Sequence, residues 1–135
     1  MTYAFDTGFF YQFLDEADEG ERVSEIWAHV LQGTATGVLS YIVCFELYRH
    51  GLRGALPRTQ TEALVTDLPQ ACLVVAVNGP ERCERAARLA HGNGLSSMAD
   101  ALILEAALDH RADRIYTTDA DMENYEGDDI EIVLL

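Results

Sequence analysis

At 135 residues the chain has the size of one domain, large enough to close a hydrophobic core and too short for two. Hydrophobic residues make up 49% and mean hydropathy is −0.01, which excludes a disordered chain, and apolar runs no longer than ACLVVAV or IVLL exclude a bilayer-spanning helix. Net charge is −14, from 23 acids against 9 bases, and every one of those bases is arginine.

Along the chain, TYAFD (2–6) predicts a first strand that ends in Asp6. Helical periodicity follows over 8–17, where Phe9, Phe10, Phe13 and Leu14 share a face, and over 20–32, where Val23, Ile26, Trp27, Val30 and Leu31 do, with Gly33 as the stop. ATGVLS (35–40) predicts a second strand and 41–53 a helix. Pro57 opens a helix expected to run to Leu68 and to be ended by Pro69. CLVVAV (72–77) has the unbroken hydrophobicity of a buried parallel strand. Helices over 81–91 and through SSMADALILEAALDHRAD (96–113) precede a fourth strand, RIYTT, and a fifth, IEIVLL. Alternating strands and helices predict a single α/β domain over 1–135, three layers deep, with a mainly parallel sheet of about five strands. Ligand sites in such sheets lie beyond the carboxyl ends of the strands, so chemistry is sought there.

The acidic, lysine-free composition suits a cytoplasm at molar salt, where the Debye length shrinks to about 3 Å and self-repulsion is screened. A halophilic source is therefore expected. The N-terminus MTYAFDTG lacks a basic region followed by an apolar run, so a cytoplasmic protein without a secretory signal is expected. Cys44, Cys72 and Cys83 form no CxxC pair and are expected as small core residues, not as a disulfide framework or a thiolate zinc site.

Acids recur where function is sought. Asp6 closes the first strand, Asp119 and Asp121 follow the fourth, and Glu46 and Asp100 lie early in helices. Thr117, Asp119 and Asp121 stand at spacing two and point the same way if the backbone stays extended. Asp100 heads a stripe continued by Ile103, Leu104 and Ala107, so its carboxylate faces the core. Each acid also has an ordinary structural alternative. Ser97 and Asp100 match a capping box, Glu46 can pair with Arg49 one turn on, Asp6 can cap the next helix, and Asp119 and Asp121 suit a turn. As a set they would repel one another unless a cation is present. Hard oxygen donors without His or Cys suit Mg²⁺ or Mn²⁺ and the hydrolysis of a phosphodiester.

Through these residues the chain resembles the PIN domain family, small metal-dependent ribonucleases that include the VapC-type toxins. FDTGFF matches the family's first acid with Asp6 and Thr7, SYIVCFELYRHG its helix-borne glutamate with Glu46, GLSSMADALILEAAL its third acid with Asp100 and the supporting Ser97, and IYTTDADM its last motif with Thr117, Asp119 and Asp121. Met122 stands where an aromatic residue is common. The resemblance implies an α/β/α fold, Mg²⁺ or Mn²⁺ held at Asp6, Glu46, Asp100 and Asp119 with Asp121 as a further ligand, and cleavage of RNA. It also implies a homodimer, a cognate antitoxin and, with the composition, a halophilic archaeal origin. In this scheme Thr117 and Ser97 hold the carboxylates in place.

RNA needs cations. Arg49, Arg53 and Arg58 lie beside the Glu46 helix, and the first two are the candidate phosphate contacts, whereas for Arg82, Arg85 and Arg88 a solvated helix face balancing local acids such as Glu81 and Glu84 stands as an equal alternative to phosphate contact. The four histidines follow no metal-ligand spacing and are expected at structural or surface positions. Phe9, Phe10, Phe13, Trp27 and Tyr41 are expected in core or dimer packing, with Phe9, Phe13 and Trp27 as interface candidates. Neither G-x-x-x-x-G-K-[ST] nor G-x-G-x-x-G is present, and a phosphoryl-aspartate enzyme would want a lysine. The alternative of another class is a PIN-like fold retained as a non-catalytic binding module or as an RNA-processing factor in a larger assembly.

Overall fold

The computed structural model describes residues 1–15 and 21–135, so the predicted helix end at 16–17 and helix start at 20 lie outside the described residues. The elements run β1 (Thr2–Phe5), α1 (Thr7–Leu14), α2 (Glu21–Leu31), β2 (Thr36–Ser40), α3 (Tyr41–Leu52), α4 (Arg58–Ala71), β3 (Cys72–Val75), α5 (Pro80–Asn93), α6 (Met98–Asp109), β4 (Arg114–Thr117) and β5 (Glu131–Leu134), with a short 3-10 turn at Ala120–Asn124 before the last strand. All five strands are parallel, in the order β3-β2-β1-β4-β5, and helices cover both faces. The expected three-layer α/β/α fold is the one observed.

Alternation along β1 decides what each face buries. Phe5 points into an aromatic cluster, 4.4 Å from Phe9 and 5.6 Å from Trp27 between ring centroids, with Phe10 and Tyr116 beside them. Val38 in β2 packs with Val75 and with Ala106 of α6. Between them α6 sits so deep that Asp100 through Ala107 are all buried, which is why its apolar pattern is continuous instead of striped.

Several expectations are corrected here. Pro69 does not end α4. It lies in the last turn, where the chain continues to Ala71 and the Cys72 N–H bonds back to the Leu68 carbonyl, so one missing donor costs the helix little. The third strand is four residues long and at the sheet edge, paired only with β2, which leaves Leu73 48% exposed. Phe9 and Trp27 are buried in the core, so of the three interface candidates only Phe13 reaches the surface. Cys44 and Cys72 are buried as expected, but Cys83 is exposed. No helix among the described residues is long and apolar enough to cross a membrane.

Candidate active site

From β1 the chain winds to β2 and β3 on one side and then crosses to β4 and β5 on the other, so strand order reverses between β1 and β4. Asp6 and Asp119 follow the carboxyl ends of those two strands, in the crevice where α/β folds bind ligands.

Asp6 is 4% exposed and fully engaged. Its Oδ1 accepts from the Phe9 backbone N–H and caps α1, while its Oδ2 accepts from the Thr117 hydroxyl across the sheet. The capping alternative is therefore correct and incomplete, since the second oxygen ties the first strand to the fourth. Thr117, wholly buried, also accepts from the Asp119 N–H at 2.9 Å, so one hydroxyl sets two of the acids. Glu46 accepts from the Thr7 hydroxyl at 2.5 Å. No ion pair joins it to Arg49 among the described residues, and Thr7 emerges as a positioning residue whose place directly after Asp6 was the available signal.

Ser97 caps α6 by accepting from the Asp100 N–H at 3.3 Å, which leaves the Asp100 carboxylate facing other acids. Burial is the main force that pushes this carboxyl up to about 7, followed by a hydrogen bond with Asp119 and the charges of Asp119, Asp6 and Glu46. Burial likewise raises Asp6 to about 6, against the opposing pull of Thr117 and the Phe9 and Thr118 N–H groups, with the Asp119 charge adding to the rise. Four acids from four distant segments thus feel one another.

Asp121 does not join them in the same way. The backbone leaves the extended form after Asp119, whose Oδ1 accepts from the Asp121 N–H and caps the 3-10 turn, so Asp121 is exposed on that turn instead of aligned with Thr117 and Asp119. Arg49 on α3 and Arg53 at its carboxyl-terminal cap are exposed and in no ion pair among the described residues, whereas Arg58 pairs with Glu62 at 3.0 Å.

Gly8 controls how closely α1 approaches the loop after β4. A Cβ there would lie 1.7 Å from the Thr118 hydroxyl and 2.9 Å from its Cβ, too close for a rotamer change to relieve. The D-T-G stretch thus combines a cap, a Glu46 anchor and the absence of a side chain.

An all-carboxylate donor set fits Mg²⁺ or Mn²⁺ and offers nothing to softer metals. Among the described residues no three His, Cys, Asp or Glu side chains are grouped tightly enough to enclose an ion. A hydrated Mg²⁺ needs only one or two carboxylates in direct contact, so a loose group of mutually repelling acids is compatible with it.

The arginine expectation on α5 is corrected. Arg82 and Arg85 pair not with Glu81 and Glu84 but with an acid of α6, although Arg85 is half exposed. They hold the buried Glu105, 2% exposed, at 2.5 and 3.0 Å, and Arg82 also meets Asp109 at 3.1 Å. Only Arg88 pairs locally, with Glu84.

The chain is similar in structure to VapBC2 from Rickettsia felis bound to a DNA fragment from its promoter, with a TM-score of 0.72, 13% identity and coverage of 100% of this chain and 99% of the other. It is similar to Mycobacterium tuberculosis VapC20, a sarcin-ricin loop cleaving toxin, at TM-score 0.70 and 15% identity over 97% and 99%. VapBC-1 from nontypeable Haemophilus influenzae gives 0.65 and 18% over 99% and 98%. At these identities the likeness establishes the fold. Comparison with curated proteins by sequence finds no significant match. The PIN domain profile matches residues 3–128, nearly the whole length, and this chain belongs to the PIN domain family.

Proposed function

We propose that the chain, as one nuclease domain over 1–135, is a Mg²⁺- or Mn²⁺-dependent endoribonuclease of the cytoplasm, the toxin of a type II toxin-antitoxin pair, from a halophilic archaeon. The observation that carries the reading is the convergence of Asp6, Glu46 and Asp119 on Asp100 at the point where strand order reverses. Structural neighbours solved as toxin-antitoxin complexes support a cognate antitoxin, and the neighbour described as a sarcin-ricin loop cleaving toxin supports structured RNA as substrate.

Asp6, Asp100 and Asp119 would hold the ion, with Glu46 contributing and the exposed Asp121 in an outer role. When bound, the ion supplies water activation and offsets charge on the scissile phosphate. Thr117 keeps Asp6 turned to the site, Ser97 starts α6 so that Asp100 faces inward, and Thr7 aims Glu46, which would orient the attacking water. Arg49 and Arg53 would take flanking phosphates.

The deciding experiment is cleavage of a labelled structured RNA pool, a sarcin-ricin-type hairpin included, in molar KCl with Mn²⁺ or Mg²⁺, beside Asp100→Asn and an EDTA control. Cleavage by wild type that is lost in both controls is expected. Folded, inhibitor-free wild-type protein that leaves the RNA intact would move the chain to the non-catalytic binding reading. Salt adaptation is checked in the same buffers: the unfolding midpoint rises with KCl, and a flat response removes the halophilic proposal. A homodimer is proposed as well, supported by the exposed stripe of Tyr41, Phe45, Tyr48 and Leu52 on α3, and light scattering that returns a monomer mass overturns it.

A further inference from the structure

A groove of about 350 Å³ opens beside Glu46 of the acid cluster, lined by Thr7, Glu46 and Thr118 together with Tyr11, Gln12 and His50. Its volume is that of a small-ligand site. The Tyr11 and His50 rings stand 5.4 Å apart at 88°, so together they make a right-angled corner. The Tyr11 hydroxyl donates to the Ala55 carbonyl at 3.3 Å, which ties that side of the corner to the loop between α3 and α4. Gln12 follows Tyr11 on the same helix and is half-buried, with an amide able to donate and accept.

We infer that this groove is a nucleobase subsite, seating a base next to the scissile phosphate in the Tyr11–His50 corner with the Gln12 amide reading its edge. The inference rests on the ribonuclease reading and adds to it the residues that choose where the strand is cut. A planar base stacked on one ring of the corner presents its edge to the other ring, which fixes both its depth and its orientation. Single-stranded RNA is recognised in this manner, by stacking on aromatic rings and hydrogen bonds to base edges. The chemistry also suits a protein of charge −14, because a base is the uncharged part of a nucleotide and its stacking survives salt that screens the phosphates.

The test uses wild-type protein with fluorescently labelled RNA hexamers of each of the four bases and an abasic ribose-phosphate hexamer, followed by anisotropy in EDTA and molar KCl. Wild type is expected to bind at least one base-bearing hexamer about tenfold more tightly than the abasic one, and His50→Ala, Tyr11→Leu and Gln12→Leu to shrink that preference. Gln60→Ala, at an exposed position of α4, serves as the control, and each variant is first shown to unfold at the wild-type midpoint. Tyr11→Phe separates ring from anchor, and is expected to keep most of the preference. Equal binding of base-bearing and abasic hexamers by wild type, or an undiminished preference in all three groove variants, overturns the subsite. Because the ion is absent from this assay, a preference that is present in wild type and lost in the variants supports the subsite even if Mn²⁺ yields no cleavage, an outcome that would fall on the nuclease reading alone.

Discussion

Asp100 and Glu105 lie five residues apart on α6, and both are buried, at 7% and 2% exposure. Their surroundings are opposite. Glu105 is met by two guanidinium groups from α5, whereas Asp100 is met by three other carboxylates. An isolated buried charge is costly, and a chain can answer it with its own cations, as α5 does, or leave the answer to something from outside. The difference separates an acid that ties two helices together from one that no cation of the described residues answers. Burial alone would have ranked them the same.

The largest expected effect is on activity. Asp100→Asn lowers metal-dependent RNA cleavage by at least about a hundredfold, while Glu105→Gln, remote in chemistry from the cluster, does not; equal losses in steady-state rate would erase the distinction. Stability is expected to respond the other way round. Glu105→Gln removes the anion that Arg82 and Arg85 share, leaving Arg82 only Asp109, and costs about 2 kcal/mol in urea unfolding, less than a fully buried pair because Arg85 is half exposed.

The pH dependence comes next. Asp6 and Asp100 titrate near 6 and 7 in the folded protein against 3.8 as the reference value, so the folded state binds more protons than the unfolded one across that interval. Their contribution to metal-free stability is complete below about pH 4 and is lost as pH rises through 6 and 7. Unfolding midpoints in EDTA should therefore fall between pH 5 and pH 8, and Mn²⁺ should restore more at pH 8, where the carboxylates are free to ligate. A midpoint that climbs over this range would contradict the arrangement. The smallest effect is a gain: Asp100→Asn removes one of the repelling charges and raises metal-free stability at pH 8 by about 1 kcal/mol, with most of the Mn²⁺ response lost.

The α/β alternation and the inward turn of Asp100 were legible because they rest on periodicity, and the four separated motifs identified the rest of the cluster. Asp121 was misaligned because its expected direction assumed an extended backbone, and the Asp119 carboxylate ends that extension by capping the turn. Glu105 carried no signal of its own: among Ala and Leu on α6 it reads as a surface acid, and only the packing of α5 shows that its partners lie twenty and twenty-three residues back. The edge position of β3 was hidden for a related reason, since CLVVAV states how apolar a strand is and not how many neighbours it has. A proline breaks a helix interior, but Pro69 is the third residue from the end of α4, where the last turn tolerates it.

Strand β1 occupies the middle of the sheet, with β2 on one side and β4, more than a hundred residues later, on the other. During translation the first strand therefore leaves the ribosome long before its second neighbour exists, and the Thr117 hydroxyl that holds Asp6 arrives later still. No truncated product that stops short of Asp119 contains the full set of acids. For a proposed RNA-cutting protein this order of assembly is a safeguard in time: every residue from Asp6 to Asp119 must be made before the acids can act together on RNA.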